Sequence, residues 1–133
     1  MGILNRIFGK DNTPGKEEKE IINVPWIPLV SLDQLVEIKE KSSQKTQIIF
    51  KHSTTCGVSR MVMNRFNESY TLSSDQVDLY YLDLHSYRNI SNEVANLFQL
   101  RHESPQLLII KNGVVVAHDS HSGISQLNLG EYV

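Results

Sequence analysis

Gln47-Ile48-Ile49-Phe50-Lys51-His52-Ser53-Thr54-Thr55-Cys56-Gly57-Val58-Ser59 is the stretch on which the fold turns. Its first six residues read as a strand, Ser53 to Thr55 as a polar turn, and a helix-like run opens at Cys56. This order sets the only cysteine of the 133-residue chain beside unpaired backbone N–H groups and the positive end of a helix dipole, which favour thiolate over thiol. A thiolate is the nucleophile of disulfide exchange. Three residues on, where a dithiol protein carries its second, resolving cysteine, stands Ser59, so Cys56-Gly57-Val58-Ser59 is C-x-x-S. Any redox chemistry must run on one sulfur.

Upstream, Trp26-Ile27-Pro28-Leu29-Val30 reads as a short strand whose prolines suit a sheet edge. Ser31-Leu32-Asp33-Gln34 then fits a capping box, and Leu32, Leu35, Val36 and Ile38 supply an apolar stripe to about Lys41. Downstream, the helix after Cys56 is expected to lay Val58, Val62 and Phe66 on the sheet, with Met61, Met63 and Tyr70 beside them. Val77 to Asp83 is a third strand, and Ser91 caps a helix carrying Val94, Leu97 and Phe98. Leu107 to Ile110 and Val114 to Ala117 flank Lys111-Asn112-Gly113, an Asn-Gly hairpin signal, and Ser122 to Val133 leaves room for a brief final helix. The order βαβαβα, then ββ and a short helix, with a cysteine opening the second helix, is a thioredoxin-like α/β arrangement. It predicts a mixed central sheet flanked by helices, a βαβαβ-type first part and a C-terminal β-hairpin.

Ile3, Leu4, Ile7 and Phe8 have helical spacing in Met1 to Lys10, and Asp11 to Glu20 is polar and mixed in charge. Residues 1–23 are therefore read as a flexible N-terminal extension and 24–133 as the thioredoxin-like domain. A myristoylation reading of Met1-Gly2 fails because Arg6 stands where Ser or Thr is wanted. With 40% hydrophobic and 21% charged residues the composition is globular, and a net charge of −2 gives no broad basic field for nucleic acid. No apolar run is long enough to span a bilayer. One cysteine makes no intramolecular disulfide and no secretory signal opens the sequence, so a reducing cytoplasm is expected.

Cys56 is the candidate nucleophile, with Thr55, Gly57, Val58, Ser59 and Arg60 in support, and Arg60 adds positive charge one turn along. The bland alternative is a small buried hydrophobe. Pro105 follows Ser104 just before the Leu107 strand, where a thioredoxin fold carries a cis-proline facing the cysteine. The Ser104–Pro105 bond is expected to be cis, with backbone free to hydrogen-bond a small thiol or an extended peptide. His52 and His121 are substrate-binding candidates, since one ends the cysteine strand and the other ends the hairpin. His85, His102 and His118 are scattered and read as structural, and with no metal-ligand spacing no metal site is expected. Ser59 is either a hydrogen-bond partner for the thiolate or a tolerated polar residue.

Three motifs carry a family resemblance: Lys51-His52-Ser53-Thr54-Thr55-Cys56 with Val58-Ser59, Arg101-His102-Glu103-Ser104-Pro105-Gln106, and His118-Asp119-Ser120-His121-Ser122. From about Trp26 to Gln126 the chain resembles the monothiol bacilliredoxins of the bacillithiol system. The resemblance implies a thioredoxin-like fold, Cys56 as nucleophile and Ser104-Pro105 in a thiol-binding groove. It also implies no tightly bound cofactor, bacillithiol or a similar low-molecular-weight thiol as co-substrate, and proteins in mixed disulfide with a small thiol as partners. Gly57 departs from the proline usual after that cysteine and loosens the helix start. The N-terminal extension and the short C-terminal helix also depart. The expected function is a monothiol thiol-disulfide oxidoreductase that removes or transfers the small thiol through Cys56. Cys-Gly-Val-Ser is also similar to the C-G-F-S of monothiol glutaredoxins, which bridge a [2Fe–2S] cluster between subunits. A visible absorption band after reconstitution with iron and sulfide would mark that alternative. A third is a thioredoxin-fold adaptor with an inert cysteine.

Overall fold

Period-two apolar runs and helical stripes sort this chain into a sheet with helices on both faces. The structure, a computed structural model, describes residues 24–133, and the expected extension over residues 1–23 lies outside the described residues. Its elements are β1 (Trp26–Pro28), α1 (Leu32–Lys41), β2 (Thr46–His52), α2 (Gly57–Ser69), β3 (Val77–Asp83), α3 (Arg88–Phe98), β4 (Gln106–Lys111) and β5 (Val114–Ser120). Two 3₁₀ turns follow, His121–Gln126 and Leu129–Tyr132. The sheet order is β1-β3-β2-β4-β5, with β1, β3 and β2 parallel and β4 and β5 each antiparallel to its neighbour.

β2 is the central strand and all seven of its residues are buried, as expected of a strand covered on both faces. Its side chains alternate between two cores. Ile49 packs with Leu35 and Ile38 of α1 and Val94 and Phe98 of α3, whereas Ile48 and Phe50 pack with Val62 and Phe66 of α2 and with Ile124. The hairpin turn has Asn112 at φ 54° and Gly113 at φ 80°, the left-handed pair that an Asn-Gly sequence supplies at least cost. At the other end of β5, a β-carbon on Gly123 would collide with the Asp119 carboxylate, so the first 3₁₀ turn closes tightly there and seats Ile124 on the sheet.

Four expectations shift. On α1 the buried residues are Leu35 and Ile38 alone, and Leu32 and Val36 stay exposed. On α2 Val58 is 47% exposed and Met61 is also outside, while Ser59, Val62 and Phe66 face inward. A spacing of 59, 62, 66 satisfies a helix as well as 58, 62, 66, and Ser59 wins because it finds polar partners inside. Ser91 is not the cap of α3. The helix starts at Arg88 after Tyr87, so that Ile90 joins Val94 and Phe98 in the core and Ser91 is buried within the helix. The brief final helix is two separate 3₁₀ turns.

Candidate functional site

Strand register gathers the candidate residues at one end of the sheet. Lys51 of β2 pairs with Leu82 of β3 and Gln106 of β4, and Gln106 pairs with Ser120 of β5. One residue further out lie His52, Pro105 and His121, and the His121 N–H donates to the Pro105 carbonyl at 3.0 Å. Here the chain leaves β2 and enters α2 through Cys56.

Cys56 is the N-cap of α2, extended at φ −102° and ψ 123°, and half-buried. Its N–H donates to the Ser53 carbonyl at 3.2 Å and its own carbonyl accepts the Arg60 N–H at 3.1 Å. The N–H groups that follow it belong to the helix's unpaired first turn. Nothing lies within 4 Å of a β-carbon built on Gly57, so crowding does not demand glycine there. Thr55, Val58 and Arg60 are exposed around the sulfur.

Ser59 is fully buried. Its hydroxyl oxygen accepts the Ser53 N–H at 3.0 Å and lies 2.9 Å from His52 Nδ1. The hydroxyl at the resolving position therefore ties the turn and the strand end together, a use beyond the two left open above. Burial pushes the His52 pKa below its usual value, Asp83 opposes this and Arg60 adds to it. The His52 ring packs edge-on against Tyr81, with centroids 5.6 Å apart.

His85, scattered from the other histidines in sequence, has its Nε2 2.8 Å from Ser53 Oγ and 3.1 Å from Thr55 Oγ1. It braces the turn that presents Cys56. The signal for it is positional: it follows β3, which runs parallel to β2, so its loop opens at the same end of the sheet.

The opposite wall is the loop 101–105. The Ser104–Pro105 bond is cis. Gln106, buried, donates from Nε2 to the Arg101 carbonyl at 2.9 Å and accepts the Glu103 N–H at 3.4 Å. Fully buried Lys51 reaches the same loop, with Nζ 3.1 Å from His102 Nδ1 and 3.4 Å from the Ser91 carbonyl; burial lowers its pKa from 10.5 to about 8. The Ser104 hydroxyl is buried without a hydrogen-bond partner among the described residues.

An open groove of about 540 Å³ adjoins this loop, lined by Arg101, Glu103, Gln106, His118, Ser120 and His121. His121 is exposed, with its backbone in the left-handed region at φ 56°. The Ser120 hydroxyl, with a lesser contribution from the nearby Arg101 guanidinium, holds the Glu103 carboxyl below its usual range against desolvation. A more enclosed cavity of about 300 Å³ lies along α2, lined by Val62, Phe66, Tyr70, Leu72, Ile124 and Leu129, and no residue of the Cys56 turn lines it. No residue of the Cys56 turn lines the first groove either, but it adjoins the loop that carries Ser104 and Pro105. Among the described residues no three His, Cys, Asp or Glu side chains are placed to hold a metal ion. No helix among them is long and apolar enough to cross a membrane.

The chain is similar to known proteins in family and in fold. Residues 27–129 match the family described as monothiol bacilliredoxin BrxC, a span that includes Cys56, Ser104–Pro105 and His121. Among solved structures the chain is similar to one described as a candidate oxidoreductase with a thioredoxin fold. The two are 32% identical over 80% of this chain and 92% of that one, with a TM-score of 0.68. A thioredoxin of Malassezia sympodialis is 23% identical over 80% of this chain and 87% of its own, at a TM-score of 0.63. A thioredoxin of Nicotiana alata is 19% identical over 81% and 89%, at 0.61. The last two show the shared fold alone.

Proposed function

The chain belongs to the monothiol bacilliredoxin family, and from that premise we propose that it is a monothiol thiol-disulfide oxidoreductase acting through Cys56 on proteins in mixed disulfide with a low-molecular-weight thiol, bacillithiol or a close analogue. The family and the thioredoxin fold support a thiol oxidoreductase type of function. The observation that carries the finer reading is the setting of the one sulfur: half-buried at the start of α2, with the hydroxyl at the resolving position bonded to His52 and Ser53.

In the first step the Cys56 thiolate attacks the small-thiol sulfur of a protein mixed disulfide. A Cys56–small-thiol disulfide forms, the old S–S bond breaks, and the client leaves as a thiolate that solvent protonates. With no second cysteine to resolve it, a second small thiol attacks its twin's sulfur, giving the symmetric small-thiol disulfide and free Cys56 thiolate. Over the cycle the client sulfur is reduced and the second small thiol is oxidised, while the first small thiol stays at the disulfide level throughout. A reducing cytoplasm, where such thiols are abundant, suits this cycle, and no tightly bound cofactor enters it.

Intact mass after incubation with the disulfides of several small thiols tests the reading. One adduct on Cys56, formed fastest with bacillithiol disulfide and released by added thiol, is expected. A native protein that forms no adduct, while the unfolded chain does, would identify an adaptor with an inert cysteine.

A further inference from the structure

We infer that His102 is a substrate-binding residue of this site, donating an Nε2–H hydrogen bond to a carbonyl or carboxylate oxygen of the small thiol, and that buried Lys51 is the positioning residue that fixes the donor. The inference rests on the functional reading above and names a contact within it.

Lys51 has no accessible surface, yet its partners are a backbone carbonyl, that of Ser91, and one ring nitrogen, His102 Nδ1. Buried ammonium groups are normally paired with carboxylates, so this pairing calls for a reason. An ammonium only donates. The ring nitrogen facing it must therefore carry a lone pair, which leaves the ring proton on Nε2. Ser91 Oγ, 3.3 Å from the same Nδ1, can serve it only as a second donor or stand idle.

His102 is nevertheless exposed. With its Nδ1 edge turned in toward Lys51 and Ser91, the opposite edge of the ring, bearing Nε2–H, is turned outward. A doubly protonated ring would set its Nδ1–H against the Lys51 ammonium. The surroundings agree: burial and the charges of Lys51 on β2 and Arg88 on α3 lower the His102 pKa, opposed by Glu103 in its own loop. The ring is thus kept as a neutral donor.

Its place gives the donor a use. His102 sits two residues before Ser104; it does not itself line the open groove, but its loop neighbours Arg101 and Glu103 do. Lys51 and Gln106, register partners on β2 and β4, grip that loop at three points: His102 Nδ1, the Arg101 carbonyl and the Glu103 N–H. A Ser104 hydroxyl, buried without a partner among the described residues, stands in the same loop. Amide-bearing and carboxylated thiols present oxygen acceptors, and a neutral imidazole N–H donates to either kind without a charge match.

Nitrogen-15 NMR of the full chain and transfer kinetics with a peptide–bacillithiol mixed disulfide test both parts. In the wild type His102 should be the Nε2–H tautomer and resist protonation, and in Lys51→Met it should become a tautomer mixture that titrates near the ordinary histidine value. His102→Ala should raise KM for the mixed disulfide about tenfold, His102→Gln, which keeps an N–H near that position, should recover most of it, and alkylation of Cys56 by iodoacetamide should change less than twofold in both. A wild-type ring protonated on Nδ1, an unchanged KM in His102→Ala, or alkylation falling in step with transfer overturns the inference alone. A wild-type protein that transfers no small thiol overturns the functional reading, and the inference with it.

Discussion

Lys51 and His52 are adjacent in sequence and both buried, yet they serve opposite walls of the site. Strand alternation sends His52 to the α2 face, where it meets Ser59, and Lys51 to the α3 face, where it meets Ser91 and His102. The nucleophile wall is local: the His52–Ser59 bond spans seven residues, and a turn plus one helical start determine where the sulfur sits. The opposite wall, where the small thiol is proposed to dock, is built at long range, from the Lys51–His102 contact across 51 residues and from the pairing of β2 with β4. Burial lowers the pKa of both basic groups. On the local wall the affected group is a histidine that readily stays neutral, whereas on the distant wall it is a lysine still mostly charged at neutral pH. The distant wall therefore carries the larger electrostatic cost.

The largest expected effect separates sulfur from scaffold. Cys56→Ser should abolish small-thiol transfer, read by mass spectrometry, while leaving both walls and the unfolding midpoint in place. If transfer survived, the chemistry would lie outside the local wall altogether.

The next effect concerns the cost of the distant wall. The Lys51 pKa is near 8 in the folded protein and 10.5 is the ordinary value, so between these limits the unfolded chain holds more protons and stability rises with pH. Lys51→Met should remove that rise and stabilise the protein at pH 7 by on the order of 2 to 3 kcal/mol, the desolvation that a buried charge no longer imposes. Urea unfolding of both proteins from pH 7 to 10 is the measurement. Burial raises Tyr70 and Tyr80 to about 12, which works the other way above pH 10, but it cancels in the difference between the two proteins. A Lys51→Met protein less stable than wild type at every pH would make Lys51 a net structural support and erase the contrast.

Smaller again is the local link. Ser59→Ala leaves the Ser53 N–H and His52 Nδ1 without their partner and should cost about 1 to 3 kcal/mol in urea unfolding, with most of the transfer rate kept. Since the His52 pKa is lowered, its share of stability is present above about 6.5 and is lost as pH falls below that value. Transfer lost as completely as in Cys56→Ser, with folding intact, would give Ser59 a role in the chemistry.

The smallest effect checks the face of α2. Val58→Ser, at an exposed position, should change stability by no more than about 0.5 kcal/mol. Phe66→Ala, on the inward side, should cost about 3 to 5 kcal/mol. Comparable losses at both positions would restore Val58 to the buried face.

What could be read from residues alone was whatever rests on short-range physics. The Ser31–Gln34 capping box forms, with the Ser31 N–H donating to Gln34 Oε1 at 3.0 Å, because its partners are three residues apart. The Asn112-Gly113 hairpin turn and the opening of α2 at Cys56 follow likewise from turn chemistry and from a polar break between two apolar runs. Element order then limits an α/β chain of this size to few topologies, which makes a thioredoxin-like sheet legible in the sequence. Tertiary structure alone decided which of two adequate helical faces turns inward, seating Ser59 rather than Val58, and where α3 begins, since Ile90 gains more from burial than Ser91 would from capping. It also decided that His85 braces the cysteine turn and that Lys51 holds His102. The reason is separation along the chain: a capping residue or a turn is judged by neighbours a few positions away, but the buried Ser53 and Lys51 side chains are satisfied by partners 32 and 51 residues off, and only the packed sheet brings them within reach.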